Sequence, residues 1–332
     1  MFLPELGKSL RGIGNPNSRI CIVGDFTDGW DMQAGKPMSG PAGGLMENCL
    51  HNANLIRGEC YITNLFKQKS NNPYAFYNDK KGTFTDLGME AVQVLKEELD
   101  GIEANVFVAM GEAAFAALCD LDHLAMYRGY VFESSLLPGR KVIPTHHPRK
   151  ALRGLYTYRY MIATDLKKVF EECKFPEIRR PERELIYEYG SAQDALFWLD
   201  YYTNKGFVGF DIEVLNYEIS CISFASEWSR ACVIPIANSW TIEEELAMWR
   251  GIQRVLGNPA SVKVVQNGMF DIPFLLRQNG IVVRGPIHDT MVGHSIMYPE
   301  LPKGLGFLGS IYCGAQEYWK DTVKFKSIKN ED

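Results

Sequence analysis

The sequence predicts two α/β domains in tandem, a three-layer α/β/α domain on a parallel sheet and then a domain on a mixed sheet. Three observations predict it. Short apolar runs alternate with helical stretches through the first half. A Pro- and charge-rich segment interrupts the chain near its middle. Beyond it, three strand-like runs follow one another before helices return. A chain of 332 residues has room for two cores of ordinary size.

In the first half, residues 19–24 (RICIVG), 59–63 (ECYIT), 105–110 (NVFVAM) and 141–144 (KVIP) read as buried strands. Residues 44–55, 85–99 and 112–118 read as the helices between them. Strands that alternate with helices pair in parallel through right-handed crossovers, so functional side chains belong just past the strand C-termini. Residues 1–174 form this first domain. Residues 175–184 (FPEIRRPERE) read as a linker, and residues 185–332 as the second domain. There, residues 207–214, 218–224 and 230–236 read as successive strands, the first two joined at hairpin length. A helix at 241–256, a strand at 262–265 and helices at 271–279 and 288–297 follow. Three antiparallel strands leading into helices and parallel strands predict a ribonuclease-H-like mixed sheet.

Composition narrows the class. Apolar residues make up 46% and charged residues 23%, the balance of a soluble globular protein. The net charge of −5 argues against attachment to nucleic acid by bulk charge, and leaves local basic grooves open. The eight cysteines form no C-x-x-C pair and sit mostly in apolar runs, as reduced core residues of a cytosolic protein do. The N-terminus lacks the pattern of a secretion signal, and no apolar run reaches membrane-spanning length. No membrane partner is expected.

Asp211 and Glu213 lie two apart on one predicted strand, FVGFDIEV, and so point to the same face. Alone, the pair also fits an ordinary strand edge with exposed acids. Like charges on one face are resolved by a bound divalent cation. Residues 266–275 (QNGMFDIPFL) follow a strand and open a helix, with Asn267 and Asp271 spaced for one helical face. F-D-I-E followed about 55 residues later by N-x-x-x-D resembles the first two motifs of the DnaQ-like 3'→5' exonucleases. That resemblance implies a two-metal site for Mg²⁺ or Mn²⁺ held by Asp211, Glu213 and Asp271, with Asn267 near the substrate. Residues 288–321 (HDTMVGHSIMYPELPKGLGFLGSIYCGAQEYWKD) further resemble the exonuclease domain of phage family A DNA polymerases. Asp289 is expected to support that site rather than ligate. The family's third motif pairs a Tyr or His with a fourth acid on a later helix. Tyr318 and Asp321 are only three apart and Asp332 is the last residue, so the sequence is expected to stop short of it.

In the first half, residues 22–43 (IVGDFTDGWDMQAGKPMSGPAG), 61–67 (YITNLFK) and 145–152 (THHPRKAL) resemble, in order, three motifs of the uracil-DNA glycosylase superfamily. MGEA at 110–113 and Arg128–Gly129 fit between them. The resemblance implies that Asn64 reads an extruded base, His147 donates to the departing base and Asp25 orients water. Met38 stands where the family places an aromatic that stacks on the base. The iron–sulfur branch carries a Cys after the Asn strand and an N-terminal C-x-x-C. Residues 65–73 (LFKQKSNNP) lack that Cys and the sequence has no N-terminal C-x-x-C, so no iron–sulfur cluster is expected. A catalytically silent, DNA-binding or structural version of this domain and an active glycosylase both fit the substitutions at Asp25–Asp28 and Met38.

These resemblances imply a DNA-replication enzyme: the proofreading part of a phage polymerase, acting on single-stranded DNA or a 3' primer end. Its polymerase domain would lie in cis or on a separate chain, in the cytoplasm of an infected bacterial cell. A non-catalytic DNA-binding or partner-tethering module and a stand-alone uracil-repair enzyme are the alternatives.

Overall fold

A computed structural model describes residues 9–72, 74–180, 182–236 and 240–313. Tyr318, Asp321 and Asp332, named for the third motif, lie outside them. Two compact units form: residues 9–180 with 306–313, and residues 182–305.

The first unit runs β1 (Ile20–Phe26), α1 (Gly29–Ala34), α2 (Gly40–Asn52), β2 (Cys60–Phe66), β3 (Tyr77–Asn78), β4 (Thr83–Phe84) and α3 (Asp86–Leu99). It continues with β5 (Val106–Met110), α4 (Glu112–Cys119), α5 (Leu124–Tyr127), β6 (Phe132–Glu133), β7 (Lys141–Thr145), α6 (Arg149–Leu152) and α7 (Thr157–Glu172). Its main sheet has the order β2-β1-β5-β7-β6, parallel but for the edge strand β6. The central strands are buried along nearly their whole length because helices cover both faces. Alternate residues of β1 serve opposite cores. Cys21 and Val23 pack with α3 and α4 through Leu95, Leu99 and Phe115. Ile20 and Ile22 pack with α2 and α7 through Met46, Leu50, Ile162 and Leu166. This is the three-layer α/β/α arrangement the strand–helix alternation predicts.

The second unit runs β8 (Glu184–Ile186), α8 (Ala192–Thr203), β9 (Phe207–Leu215), β10 (Glu218–Ala225), β11 (Arg230–Pro235), α9 (Ile242–Gly257), β12 (Val262–Val265), α10 (Gly268–Asn279), β13 (Ile287–Asp289) and α11 (Thr290–Met297). The sheet order is β13-β12-β9-β10-β11-β8. β9, β10 and β11 pair antiparallel, while β12 and β13 add in parallel. The core joins Leu199 and Tyr202 of α8, Val208, Phe210 and Ile212 of β9, Ile222 and Phe224 of β10, and Met248 and Ile252 of α9. The mixed sheet follows the predicted order of strands.

Three local expectations are corrected. The helix predicted at 288–297 begins at Thr290, because residues 287–289 pair with β12 and Asp289 caps the helix from outside. The helix predicted at 271–279 begins at Gly268. Asn267 is its cap, in the left-handed region at φ 62°, so Asn267 and Asp271 do not share a helical face. The predicted linker already enters the sheet at Glu184, where β8 pairs with β11.

A last helix, α12 (Leu305–Tyr312), packs on the first unit. Arg128, 1% exposed, binds Asp165 through two nitrogens and donates from Nη1 to Ser310 Oγ at 2.8 Å. Tyr130 donates to the Gly306 carbonyl at 3.0 Å, and Lys168 to the Ser310 carbonyl at 2.7 Å. Gly129 sits at φ 75°, and any side chain there would overlap the Asp165 carboxylate. Among the described residues, no helix is long and apolar enough to cross a membrane.

Candidate active sites

The first site lies at the C-terminal end of the parallel sheet, where doubly wound folds place ligands. A cavity of about 540 Å³ is lined by Asp25, Asp28, Tyr77, Glu112, His147, Arg149 and their neighbours. Asp25 is the penultimate residue of β1 and is buried; its Oδ1 accepts the Ala114 N–H at 2.8 Å, in the first turn of α4. Burial first, and the Glu112 charge, push its carboxyl up to about 7, against that N–H and the charges of Lys150 and Arg149. It therefore exchanges a proton near neutrality.

His147 follows β7. Burial, then the Arg149 charge, hold its imidazole down to about 3, so it is neutral at physiological pH. Its Nδ1 accepts the Arg149 N–H at 3.2 Å, which assigns the ring proton to Nε2 as a donor. His146 is likewise buried, held down to about 3 by burial and by Lys150 and Arg128. Two ion pairs flank the cavity: Arg149 with Asp28 at 2.5 Å, and Lys150 with Glu112 at 3.2 Å. Burial opposes ionisation of Asp28, but the Asp31 N–H it caps and the Arg149 guanidinium hold its carboxyl below the usual range. The motif reading missed Asp28, Arg149 and Glu112. Their signal was present in D-G-W-D, H-P-R-K and M-G-E-A, as charged residues beside the motif positions.

Asp25 and His147 thus meet at one cavity. Asn64 and Met38 do not line it. Asn64 lies two residues before the end of β2, opposite Gly24 of β1, and its side chain is buried. Its Nδ2 donates to Asp31 Oδ2 at 3.0 Å and to Thr27 Oγ1 at 3.3 Å, while its Oδ1 has no partner. Met38 is 3% exposed and lies inside the core.

The second site is on the sheet of the second unit. Val208, Phe210 and Ile212 of β9 face the core, while Asp211 and Glu213 turn to the exposed face between them. Asp271, in the first turn of α10, accepts the Ile212 N–H at 3.1 Å and so sits beside both acids. Shielding from solvent, then the charges of Asp271 and Glu213, push Asp211 up to about 6. Burial raises Asp271, with Glu213 and Asp289 adding to it against two backbone N–H donors. Asp289 accepts N–H groups from Asn267, Gly268, Met291 and Val292, which hold it below the usual carboxylate range despite partial burial. Its oxygens position the turn before Asp271. Asn267 is exposed at that turn.

Among the described residues, no three His, Cys, Asp or Glu side chains converge closely enough to hold a metal ion. The donor chemistry nevertheless fits a hard divalent cation. All three groups are carboxylates, their mutual repulsion is what a cation relieves, and Asp211 and Glu213 are exposed side chains with room to turn. Of the cysteines, six are buried, Cys221 is partly so and Cys313 is exposed.

Comparison with known proteins follows the two units. Residues 11–171 match the family model of the uracil DNA glycosylase superfamily, and residues 191–330 match that of a 3'-5' exonuclease. The type-4 uracil-DNA glycosylase of Archaeoglobus fulgidus is 31% identical over 178 residues, 49% of this chain and 80% of that protein. Its counterpart from Thermotoga maritima is 26% identical over 158 residues, 47% of this chain and 79% of that protein. Similar solved structures include the Aedes aegypti Nibbler EXO domain (16% identity, TM-score 0.28) and Brucella melitensis NrnC (18%, 0.29). The chain spans 61% and 60% of those structures, and they cover 37% and 40% of it.

Proposed function

The chain belongs to the uracil DNA glycosylase superfamily through its first half and carries a 3'-5' exonuclease domain in its second, and on that premise we propose that it trims DNA from the 3' end. The observation that carries this reading is the meeting of Asp271 with the Asp211–Glu213 strand through the Ile212 N–H. Asp211, Glu213 and Asp271 would hold Mg²⁺ or Mn²⁺. Such ions, when bound, activate water and neutralise charge on the scissile phosphate. Asp271 also fixes where β9 stands against α10, and Asp289 fixes the turn that leads into Asp271.

In this reading the chain is the proofreading part of a phage family A polymerase. It acts on single-stranded DNA or an unpaired primer end inside the infected bacterium, with the polymerase domain in cis or on a partner chain. The first unit holds DNA, and base excision there is weak. A second reading, excision of uracil, draws support from Asp25 and His147 at one cavity. Asp25 near its titration point would orient water, and the neutral His147 Nε2–H would donate to the departing base.

Incubation of a 3'-unpaired primer with the protein and Mn²⁺ tests the first reading. Metal-dependent shortening from the 3' end is expected, slowed at least about a hundredfold in Asp271→Asn. Shortening that survives in Asp271→Asn would sink it. The same samples, scored for abasic sites on uracil-containing DNA, test the second.

A further inference from the structure

Trp30 is the single tryptophan of residues 9–180, and it stands in the open. It is 55% exposed, at the second position of α1. Core packing does not account for it, since Asp31 is the one buried residue of that helix. Its place is nevertheless fixed. The capping box between Asp28 and Asp31 sets the start of α1, and Gly35 closes the helix in the left-handed region at φ 67°. The root of the indole rests on the bare backbone of Gly40. A side-chain carbon added there would come within 2.5 Å of Trp30 Cγ and 3.0 Å of Cδ1.

A lone exposed tryptophan is ordinary. This one shares a shallow depression with Gln33, Arg149 and Arg153. The depression joins the cavity at the end of the sheet, because Asp28, Gly29, Arg149 and Arg153 line both. The cations along this opening are of two kinds. Arg149 and Lys150 are neutralised by Asp28 and Glu112. Lys69 and Arg153 are exposed, and among the described residues no carboxylate pairs with either. An aromatic ring and unpaired cations along one opening suit a chain of unpaired bases and phosphates. The bases stack on the indole, and the phosphates meet the cations. A duplex presents no such free ring, since its bases already stack on one another.

We propose that Trp30 and Arg153 form a flanking-nucleotide subsite for single-stranded DNA beside the cavity. When one nucleotide enters the cavity, its neighbour stacks on Trp30 and the phosphate between them meets Arg153. Lys69 takes the phosphate on the other side. The subsite reads no sequence, because every base has a π-face. It rests on the reading that the first unit holds DNA, and gives that reading a path across the surface.

The test is fluorescence anisotropy of a labelled circular single-stranded oligonucleotide with the full chain in EDTA. A circle offers the nuclease unit no 3' end, and EDTA leaves no divalent ion for cleavage. Trp30→Ala should weaken binding at least about tenfold without changing how steeply affinity falls with salt. Trp30→Phe should recover most of the loss. Arg153→Gln should weaken binding and lower the salt slope by about one. Circular dichroism checks that each variant folds. With 5-iodouracil in place of thymine, irradiation joins the base to the aromatic ring it stacks on, and mass spectrometry should find the crosslink at Trp30. Parent-like binding by Trp30→Ala, an equal loss in Trp30→Phe, or crosslinks in residues 9–180 that avoid Trp30 would each overturn the subsite and leave the wider reading in place. No binding by the parent, or crosslinks confined to residues 182–305, would overturn both.

Discussion

Proton balance at single residues sets how the first unit responds to acid. His146 and His147 have folded pKa values far below the unfolded 6.5, so the unfolded chain takes up their protons first. Their stabilisation is fully present above pH 6.5 and is lost as pH falls toward 3. Asp25 has the opposite sign: raised to about 7, it binds its proton in the folded state and adds stability as pH falls from 7 to 3.8. Each such group changes stability by up to about 1.4 kcal/mol per pH unit between 6.5 and 3.8, and Asp31 and Asp165, both raised by burial, act in the same direction as Asp25. Urea titrations across that range measure the slope that results. Asp25→Asn should shift that slope toward greater loss of stability in acid and His147→Gln toward smaller loss, each by about 1.4 kcal/mol per pH unit. A slope unchanged by either substitution would show that the three groups titrate normally. Asp25 and His147 were legible in the sequence because motif order singles them out. The reach of Asn64 was not. A strand-end Asn looks the same whether its amide faces a cavity or Asp31, and only the capping box of α1 decides it. In the second unit, Asp211→Asn should cost cleavage yet raise the unfolding midpoint of metal-free protein, because like charges no longer face one another.

Among elements, the strands of both sheets were legible and several helices were not. β1, β2 and β5 are short apolar runs, and burial on both faces leaves that pattern intact in the sequence. α7 and α8 escaped for separate reasons. α7 has no capping side chain to mark its start, and its run of Tyr, Arg and Lys blurs the apolar stripe. α8 is rich in aromatic residues, which also suit strands. α12 reads as part of the second domain, and nothing in its sequence reveals that it docks on α7 and the Arg128 loop. That docking rests on a buried ion pair. Arg128→Ala would leave Asp165 charged and unpaired, at a cost of about 3–5 kcal/mol. Ser310→Ala, which removes only one acceptor from Arg128, should cost about 1 kcal/mol. Chemical denaturation of the first unit, followed by hydrogen exchange at β7 and α7, measures both. Equal costs would mean the ion pair is not what holds the site.

At the scale of the whole molecule, the chain builds separate hydrophobic cores in its two units. Destabilising one should therefore spare the other. Ile222→Ala removes a fully buried side chain from the second core and should cost about 2–5 kcal/mol there. Hydrogen exchange by mass spectrometry should then rise across β9–β11 and stay unchanged in β1, β2 and β5. A rise in both would show the units to be one cooperative body. The fold class was legible because each half keeps its own period of apolar residues. The division of the chain between units was less so, since chain order alone cannot show a segment returning to an earlier core.

That return gives synthesis an order. The first unit is made of residues 9–180 and 306–313, so the ribosome releases most of it long before its last helix. Until Ser310 has left the exit tunnel, Arg128 and Lys168 lack acceptors that the finished protein supplies. The nascent glycosylase-like sheet must wait, incompletely closed, while the whole nuclease unit is translated and able to fold. Stalling translation between residues 180 and 305 should thus yield an intermediate without α12 that proteases cut near Arg128, and that becomes resistant only once α12 has emerged.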